Sequence, residues 1–124
     1  MSFFSRLLGT RTESSSSAGA SPTPAVVDVQ EANRRQAAGA LLIDVREQGE
    51  WNQGHAPGAT LIPLGSVPNR LTDIPRDQDV LLICRSGNRS GAAQRQLQQL
   101  GYQRVFNVTG GMNAWASAGL PVSR

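Results

Sequence analysis

The residue best suited to chemistry is Cys84, the only cysteine in a chain of 124 residues. It follows the apolar run 80–83, which is typical of a buried strand. A short polar loop over 85–89 comes next, and a stretch of helical composition opens at Ser90. Loop N–H groups and a helix N-terminus both favour negative charge. The position therefore predicts a reactive thiolate rather than a small core residue, which is the alternative for a lone cysteine.

Two arginines lie in the loop after this cysteine. A positive charge at a helix N-terminus opposes the helix dipole, so a functional reason for Arg89 is expected. We predict that Arg89 holds an anionic group beside the sulfur, whereas Arg85 could equally be a solvated side chain. Gly87 is expected to adopt a backbone conformation closed to other residues, which would let the loop curl around one anion.

The length of this loop separates two kinds of thiol chemistry. Four residues lie between Cys84 and Arg89. Thiol phosphatases place five residues between the two, which makes a cradle wide enough for a phosphoryl group, and Ser90 stands where their arginine would be. The shorter loop favours a single large atom on the cysteine, such as a sulfane sulfur.

The elements that must position these residues alternate between strands and helices. This alternation predicts an α/β fold, a single domain with a central, mostly parallel sheet flanked by helices on both faces. Ligands bind at the carboxyl ends of the strands in such sheets, where Asp44, Arg46 and Cys84 all fall. A capping box is expected at Asp28 and Glu31. The predicted strands cover 40–45, 60–63, 80–83 and 104–108, and the predicted helices cover 28–38, 46–51, 67–71, 90–100 and 112–118.

Three segments resemble motifs of one family. CRSGNRS, residues 84–90, looks like the active-site loop of rhodanese-type sulfurtransferases. LIDVREQGEWNQGHAPGA, residues 42–59, is similar to that family's upstream motif, and NVTGGMNAW, residues 107–115, resembles its C-terminal motif. Their order and spacing also match, so the chain resembles a single-domain rhodanese.

The resemblance implies a persulfide mechanism. Cys84 would take a sulfane sulfur from a small anionic donor such as thiosulfate and pass it to cyanide or a thiol, with ping-pong kinetics. The acceptor could be a thioredoxin-like or sulfur-carrier protein. An open alternative is a weakly active persulfide carrier or adaptor in a sulfur-relay pathway. The implied substrate-binding residues are Arg46, Arg85, Ser86, Gly87, Asn88 and Arg89, and the supporting residues are Asp44 and Ser90.

Composition bounds the remaining possibilities. Residues 1–25 are rich in Ser and Pro and are predicted to be a flexible tail, with the folded domain over 26–124. The net charge is +3, and the positive charges are all arginines, scattered along the chain, which argues against nucleic-acid binding. One cysteine and one histidine allow neither a disulfide nor a Cys/His metal framework, so we expect no metal, no cofactor and a reducing, cytoplasmic location. Residues 1–9 are apolar and basic, and either associate weakly with a membrane surface or are a passive extension. His55 is expected to be structural.

Overall fold

The protein is described by a computed structural model that covers residues 25–124. The predicted tail over 1–25, including the possible membrane contact of residues 1–9, therefore lies almost entirely outside the described residues. The strands are β1 (Val26–Val27), β2 (Leu41–Asp44), β3 (Thr60–Leu61), β4 (Val80–Ile83) and β5 (Val105–Val108). The α-helices are α1 (Val29–Ala37), α2 (Gln48–Gln53), α3 (Asn88–Gln99) and α4 (Gly111–Ser117), with 3₁₀ segments at Leu64–Asn69 and Leu71–Asp73.

The five strands form one parallel sheet in the order β1-β5-β4-β2-β3. The registers of β2 and β4 pair Asp44 with Ile83, so both strands end at the same edge of the sheet. Cys84 directly follows the end of β4, and Arg46 lies two residues beyond the end of β2. The α/β fold with its parallel sheet is thus confirmed, and it brings the predicted site residues to the carboxyl edge.

Helices cover both faces of the sheet, and the alternation of side chains along the strands shows it. In β4, Val80 and Leu82 pack with Ala93 and Leu97 of α3. The side chains between them belong to a second core, which contains residues of α1 and α4. Burial on both faces explains why β2 and β4 are continuous apolar runs rather than alternating ones. Leu81 and Ile83 of β4 belong to this second core. The helical residues of the second core include Val29, Ala32, Met112 and Trp115.

Element boundaries differ from the sequence prediction in several places. The two-residue edge strand β1 was not predicted, because so short a segment has no periodicity to read. Helix α2 begins at Gln48 rather than at residue 46, because Glu47 is extended and forms the N-cap. At α1, Asp28 accepts a hydrogen bond from the backbone of Glu31, while the Glu31 side chain pairs with arginines of its own helix instead of completing the capping box. No helix within residues 25–124 is long and apolar enough to cross a membrane.

Candidate active site

The loop after Cys84 is held in shape by Gly87. This residue is the N-cap of α3 and has φ +109°, in the left-handed region that favours glycine, as expected from the sequence. Its carbonyl oxygen accepts the first hydrogen bond of the helix, from Gly91 N at 3.0 Å. The helix begins at Asn88, two residues earlier than predicted. The loop is therefore a single tight turn that brings the helix N-terminus close to the cysteine sulfur.

The Cys84 sulfur accepts hydrogen bonds within this turn. Gly87 N lies 3.1 Å from Sγ, and Ser90 Oγ lies 3.3 Å from it. Burial of the residue raises the pKa of the Cys84 thiol, and hydrogen bonds outweigh that effect, so the pKa lies below its usual range. These bonds come from the Ser90 side chain and from the backbone N–H groups of Ser90, Gly87 and Ser86. The environment favours thiolate, the reactive form of cysteine.

A network of side chains lies behind the sulfur. Ser90 is fully buried, and its Oγ is 2.6 Å from Asn107 Oδ1 in β5. Asn107 Nδ2 in turn donates to the carbonyl oxygen of Gly87 at 3.1 Å. The first turn of α3 is thus tied to the sheet at two points by one asparagine.

The charges at the loop are organised by Glu50 of α2. Both terminal nitrogens of Arg89 donate to its carboxylate, at 2.7 and 2.8 Å. Arg85 is a weaker partner, at 3.3 and 3.4 Å, with 59% of its side chain exposed. The hydrogen bonds from Arg89, together with its positive charge, lower the pKa of Glu50 to about 2 although burial opposes them. Glu50 likewise raises the pKa of Arg89, and the Cys84 charge adds to this.

Arg46 is fixed from the other side of the loop. Its Nε and Nη2 donate to the carboxylate of Asp44 at 2.8–3.0 Å, and Nη2 also donates to the carbonyl oxygen of Gly54 at 2.7 Å. Asp44 is fully buried, and Arg46 is only 6% exposed. Asp44 therefore orients Arg46, and Nη1 of Arg46 is used by neither partner.

The segment before α4 packs directly on the loop. Met112 N donates to Cys84 O at 2.7 Å, and Asn113 N donates to Arg85 O at 3.0 Å. A Cβ atom at Gly111 would lie 2.5 Å from the carbonyl carbon of Arg85 and would also collide with Cys84 O. Only glycine permits this approach.

A cleft of about 310 Å³ lies beside the loop. Its charged lining consists of Arg46, Arg85, Arg124 and Glu50, and its apolar lining includes Met112 and Val122. This volume lies at the low end of small-molecule sites. It offers a charged approach to the loop that carries Cys84.

The remaining predicted site residues have plainer positions. Ser86 and Asn88 are exposed, and Ser86 acts on the sulfur through its backbone N–H group. His55 stacks on Trp51 with ring centroids 3.6 Å apart, and its Nδ1 lies 3.0 Å from Trp51 O, so its contacts are structural. In residues 25–124 no group of three or more His, Cys, Asp and Glu side chains could hold a metal ion.

Two residues of the site, Glu50 and Asn107, make contacts that the sequence did not predict. Glu50 is not among the site residues expected from the sequence, although it is a carboxylate in the same chain segment as the predicted donor-binding Arg46. Asn107 was not singled out, although a polar side chain inside the strand Val105–Val108 was a visible signal. In both cases the partner lies far away in sequence, so spacing could not identify it.

A parallel α/β sheet with a single cysteine at its carboxyl edge, whose pKa the surrounding hydrogen bonds lower, is typical of a protein that uses a thiol as a nucleophile or carrier. Comparison with known families makes the class specific: the rhodanese-like domain matches residues 28–118. The chain belongs to this rhodanese-like family, and its relatives include a protein named as a sulfurtransferase and one named as a putative sulfur carrier. The resemblance of the three sequence motifs is thereby confirmed.

Individual relatives support the same assignment. A sulfurtransferase of Allochromatium vinosum is 48% identical over 82 residues, which are 66% of this chain and 77% of that protein. A putative sulfur carrier protein of Bacillus subtilis, YrkF, is 39% identical over 74 residues, covering 60% of this chain and 40% of that protein. The crystal structure of a rhodanese-related protein from Thermoplasma volcanium superimposes with a TM-score of 0.74 at 30% identity, covering 80% of this chain and 97% of that one.

Proposed function

We propose that this protein transfers a sulfane sulfur from thiosulfate, or a similar small anionic donor, to cyanide or a thiol through a persulfide on Cys84. The observation that supports the proposal is the sulfur's surroundings. Sγ is met by Gly87 N at 3.1 Å and by Ser90 Oγ at 3.3 Å, and the pKa of the thiol is lowered. Donors fixed around one sulfur stabilise both a thiolate and the persulfide anion that replaces it.

The first step is an attack of the Cys84 thiolate on the outer sulfur of thiosulfate. An S–S bond forms between Sγ and that sulfur, while the bond to the sulfonate sulfur breaks and its electron pair leaves with sulfite. In the second step the electron pair of cyanide or of an acceptor thiolate attacks the terminal sulfur, which releases the Cys84 thiolate. Neither step removes a proton from carbon, which fits a site whose nearest carboxylates are held by arginines.

Arginine charge would bring the anionic donor to the loop. Both terminal nitrogens of Arg89 donate hydrogen bonds to Glu50. Arg89 therefore supplies a fixed positive charge rather than a side chain that is free to bind the substrate. Arg85 is the more exposed and more loosely held of the two, and it is the better candidate for direct contact with the donor's oxygens. Arg46 lines the neighbouring cleft, and its Nη1 makes no hydrogen bond to Asp44 or Gly54. We therefore assign donor contact to Arg85 and Arg46, with Arg89 acting mainly through its charge.

Loop size argues against phosphate as the substrate. Within the turn from Cys84 to Ser90, Gly87 N donates a hydrogen bond to Sγ itself. With the N–H groups drawn in on the sulfur, the loop suits a single added atom, whereas a phosphoryl group with three oxygens needs a wider ring of donors. This is the structural counterpart of the residue count made on the sequence.

A persulfide carrier is the second candidate. It is favoured by the similarity to the putative sulfur carrier YrkF. In that role Cys84 would receive its sulfur from a persulfide on another protein and deliver it to a thioredoxin-like or sulfur-carrier partner. The same loop would serve, because a persulfide anion needs the same hydrogen-bond donors whichever molecule supplied its sulfur.

Steady-state sulfur transfer tests the two candidates. Thiosulfate and cyanide should give thiocyanate with ping-pong kinetics, and Cys84→Ser should abolish it. A glycine inserted between Asn88 and Arg89 should weaken turnover strongly, whereas one inserted between the exposed Arg76 and Asp77 is the matched control and should not. No turnover with any small donor, together with persulfide formation from a partner protein, would favour the carrier. Equal turnover of the two insertion variants would contradict the loop-size argument.

A further inference from the structure

Asn107 is a polar residue in a strand that is otherwise apolar, and its side chain reaches the active-site loop. It lies in β5, whose neighbours in the sheet are β1 and β4. Its two side-chain polar atoms contact Gly87 O at 3.1 Å and Ser90 Oγ at 2.6 Å. Gly87 caps α3, and Ser90 lies in the first turn of that helix. One amide group therefore spans the part of the loop that surrounds the cysteine sulfur.

The direction of each hydrogen bond follows from the chemistry of the groups. The carbonyl oxygen of Gly87 can only accept, so the amide nitrogen of Asn107 faces it. The amide oxygen must then face Ser90, and because that oxygen can only accept, the single hydroxyl proton of Ser90 points to Asn107. At 2.6 Å this bond is short for two neutral groups.

Ser90 Oγ also lies 3.3 Å from Sγ of Cys84. One proton cannot serve both acceptors at once. While the cysteine is a thiol, the S–H group can donate to Oγ, and the serine proton stays on Asn107. When the sulfur becomes an anion, the hydroxyl gains a competing acceptor of full charge, and hydrogen bonds to charged groups are the stronger ones.

We propose that Asn107 is a positioning residue of the active site, which accepts the Ser90 hydroxyl proton while Cys84 is a thiol and yields it to the Cys84 sulfur when negative charge develops there. The inference rests on the proposed role of Cys84 as the nucleophile. Asn107 touches neither substrate nor sulfur and acts through Ser90. The thiolate and the persulfide anion then receive the same donor at each stage of sulfur transfer.

The test is the pH dependence of Cys84 alkylation by iodoacetamide, which reports on this residue alone because the chain has one cysteine. Ser90→Ala removes the donor and should raise the pH of half-maximal rate by about one unit, the range expected for one hydrogen bond to a charged group. Asn107→Val frees the hydroxyl and should lower it by about half a unit. In the Ser90→Ala background, Asn107→Val should no longer shift it. This non-additivity separates action through Ser90 from a general structural effect.

A matched control is Gln94→Leu. Gln94 also joins α3 to β5, through Nε2 and the carbonyl oxygen of Val105, but it makes no hydrogen bond to the cysteine loop. This variant should change stability without moving the alkylation midpoint. If Asn107→Val does not fold, as judged by circular dichroism, Asn107→Ala takes its place.

The charged groups around the sulfur are the same in all these variants. They are Arg85 and Arg89 in the loop, Glu50 on α2, and the Asp44–Arg46 pair after β2. Independent, additive shifts for Ser90→Ala and Asn107→Val, or an unchanged midpoint in Asn107→Val, would overturn the proposal. If the variants show the expected shifts but the protein transfers no sulfur, the positioning role of Asn107 stands and the proposed function is refuted.

Discussion

Replacing Glu50 with glutamine removes the charge that organises the arginines of the loop while keeping the size of the side chain. Glu50 receives two hydrogen bonds from Arg89, at 2.7 and 2.8 Å, and longer ones from Arg85. Its side chain is only 19% exposed. This pair joins α2 to the loop, so its loss should be felt both in stability and at the cysteine.

The size of the stability effect follows from the pKa of Glu50. It is about 2 in the folded protein, compared with an ordinary value of 4.5. At about 1.36 kcal/mol per pH unit, the difference corresponds to about 3 kcal/mol. Because Arg89 is about one-third exposed and solvent screens the pair, we expect Glu50→Gln to lower the free energy of unfolding by about 1–2 kcal/mol at pH 7.

The pH dependence of this loss has a definite sign. The pKa of Glu50 is depressed by folding, so its contribution is complete above pH 4.5 and is lost as the pH falls towards 2. Urea unfolding at pH 7 and at pH 3 measures it, with the gap between wild type and variant smaller at the lower pH. Equal free energies of unfolding at pH 7 would refute the argument that Glu50 holds the loop.

The same variant should also change the cysteine. Removing one negative charge beside Arg89 leaves more net positive charge near Sγ, so the pKa of Cys84 should fall further and its alkylation should shift to lower pH. Glu31→Gln is the matched control, because Glu31 also pairs with two arginines but lies on α1, away from the loop. A shift of the same size in both variants would mean that total charge, not the Glu50 site, is responsible.

Three further outcomes follow from the contacts. Gly111→Ala should lower the melting temperature and the rate of sulfur transfer together, because the added Cβ would collide with the carbonyl groups of the loop. The control Gly119→Ala, at a similar positive φ with no neighbour within 4 Å, should lower the melting temperature less. Equal losses in the two variants would contradict the close approach at Gly111. Asp44→Asn should lower the free energy of unfolding in urea by about 3–5 kcal/mol, because Arg46 is left buried without its charged partner. Asp73→Asn, in an exposed ion pair, should lower it little. Similar losses in the two variants would refute the importance of the buried pair. Alkylation of Cys84 in the native protein should reach half its maximal rate at a lower pH than in urea-unfolded protein, since folding lowers the pKa, and a higher midpoint would oppose that.

Much of the fold was predictable because it depends on local sequence patterns. The apolar runs that became β2 and β4 are buried on both faces, and burial of that kind leaves a continuous signature. The position of Cys84 between such a strand and α3 could also be read directly, as could the need for glycine at residue 87. These features depend on neighbours within a few residues.

The parts that could not be predicted depend on partners distant in sequence. Glu50 meets Arg89 across 39 residues, and Asn107 meets Ser90 across 17. Neither distance has a period or a spacing that favours the pairing. The β1 edge strand was hidden for a related reason, since its two residues owe their state to pairing with β5. Side chains that act through tertiary contact therefore became visible only with the structure.

The central claim is that Cys84 carries a transferable sulfur, and intact mass spectrometry tests it most directly. After incubation with thiosulfate and removal of the excess, the wild-type protein should gain the mass of one sulfur atom. The gain should disappear on addition of cyanide, with thiocyanate formed in equal amount. Cys84→Ser should show no gain. An unchanged mass for the wild type, or the same gain in Cys84→Ser, would contradict the claim.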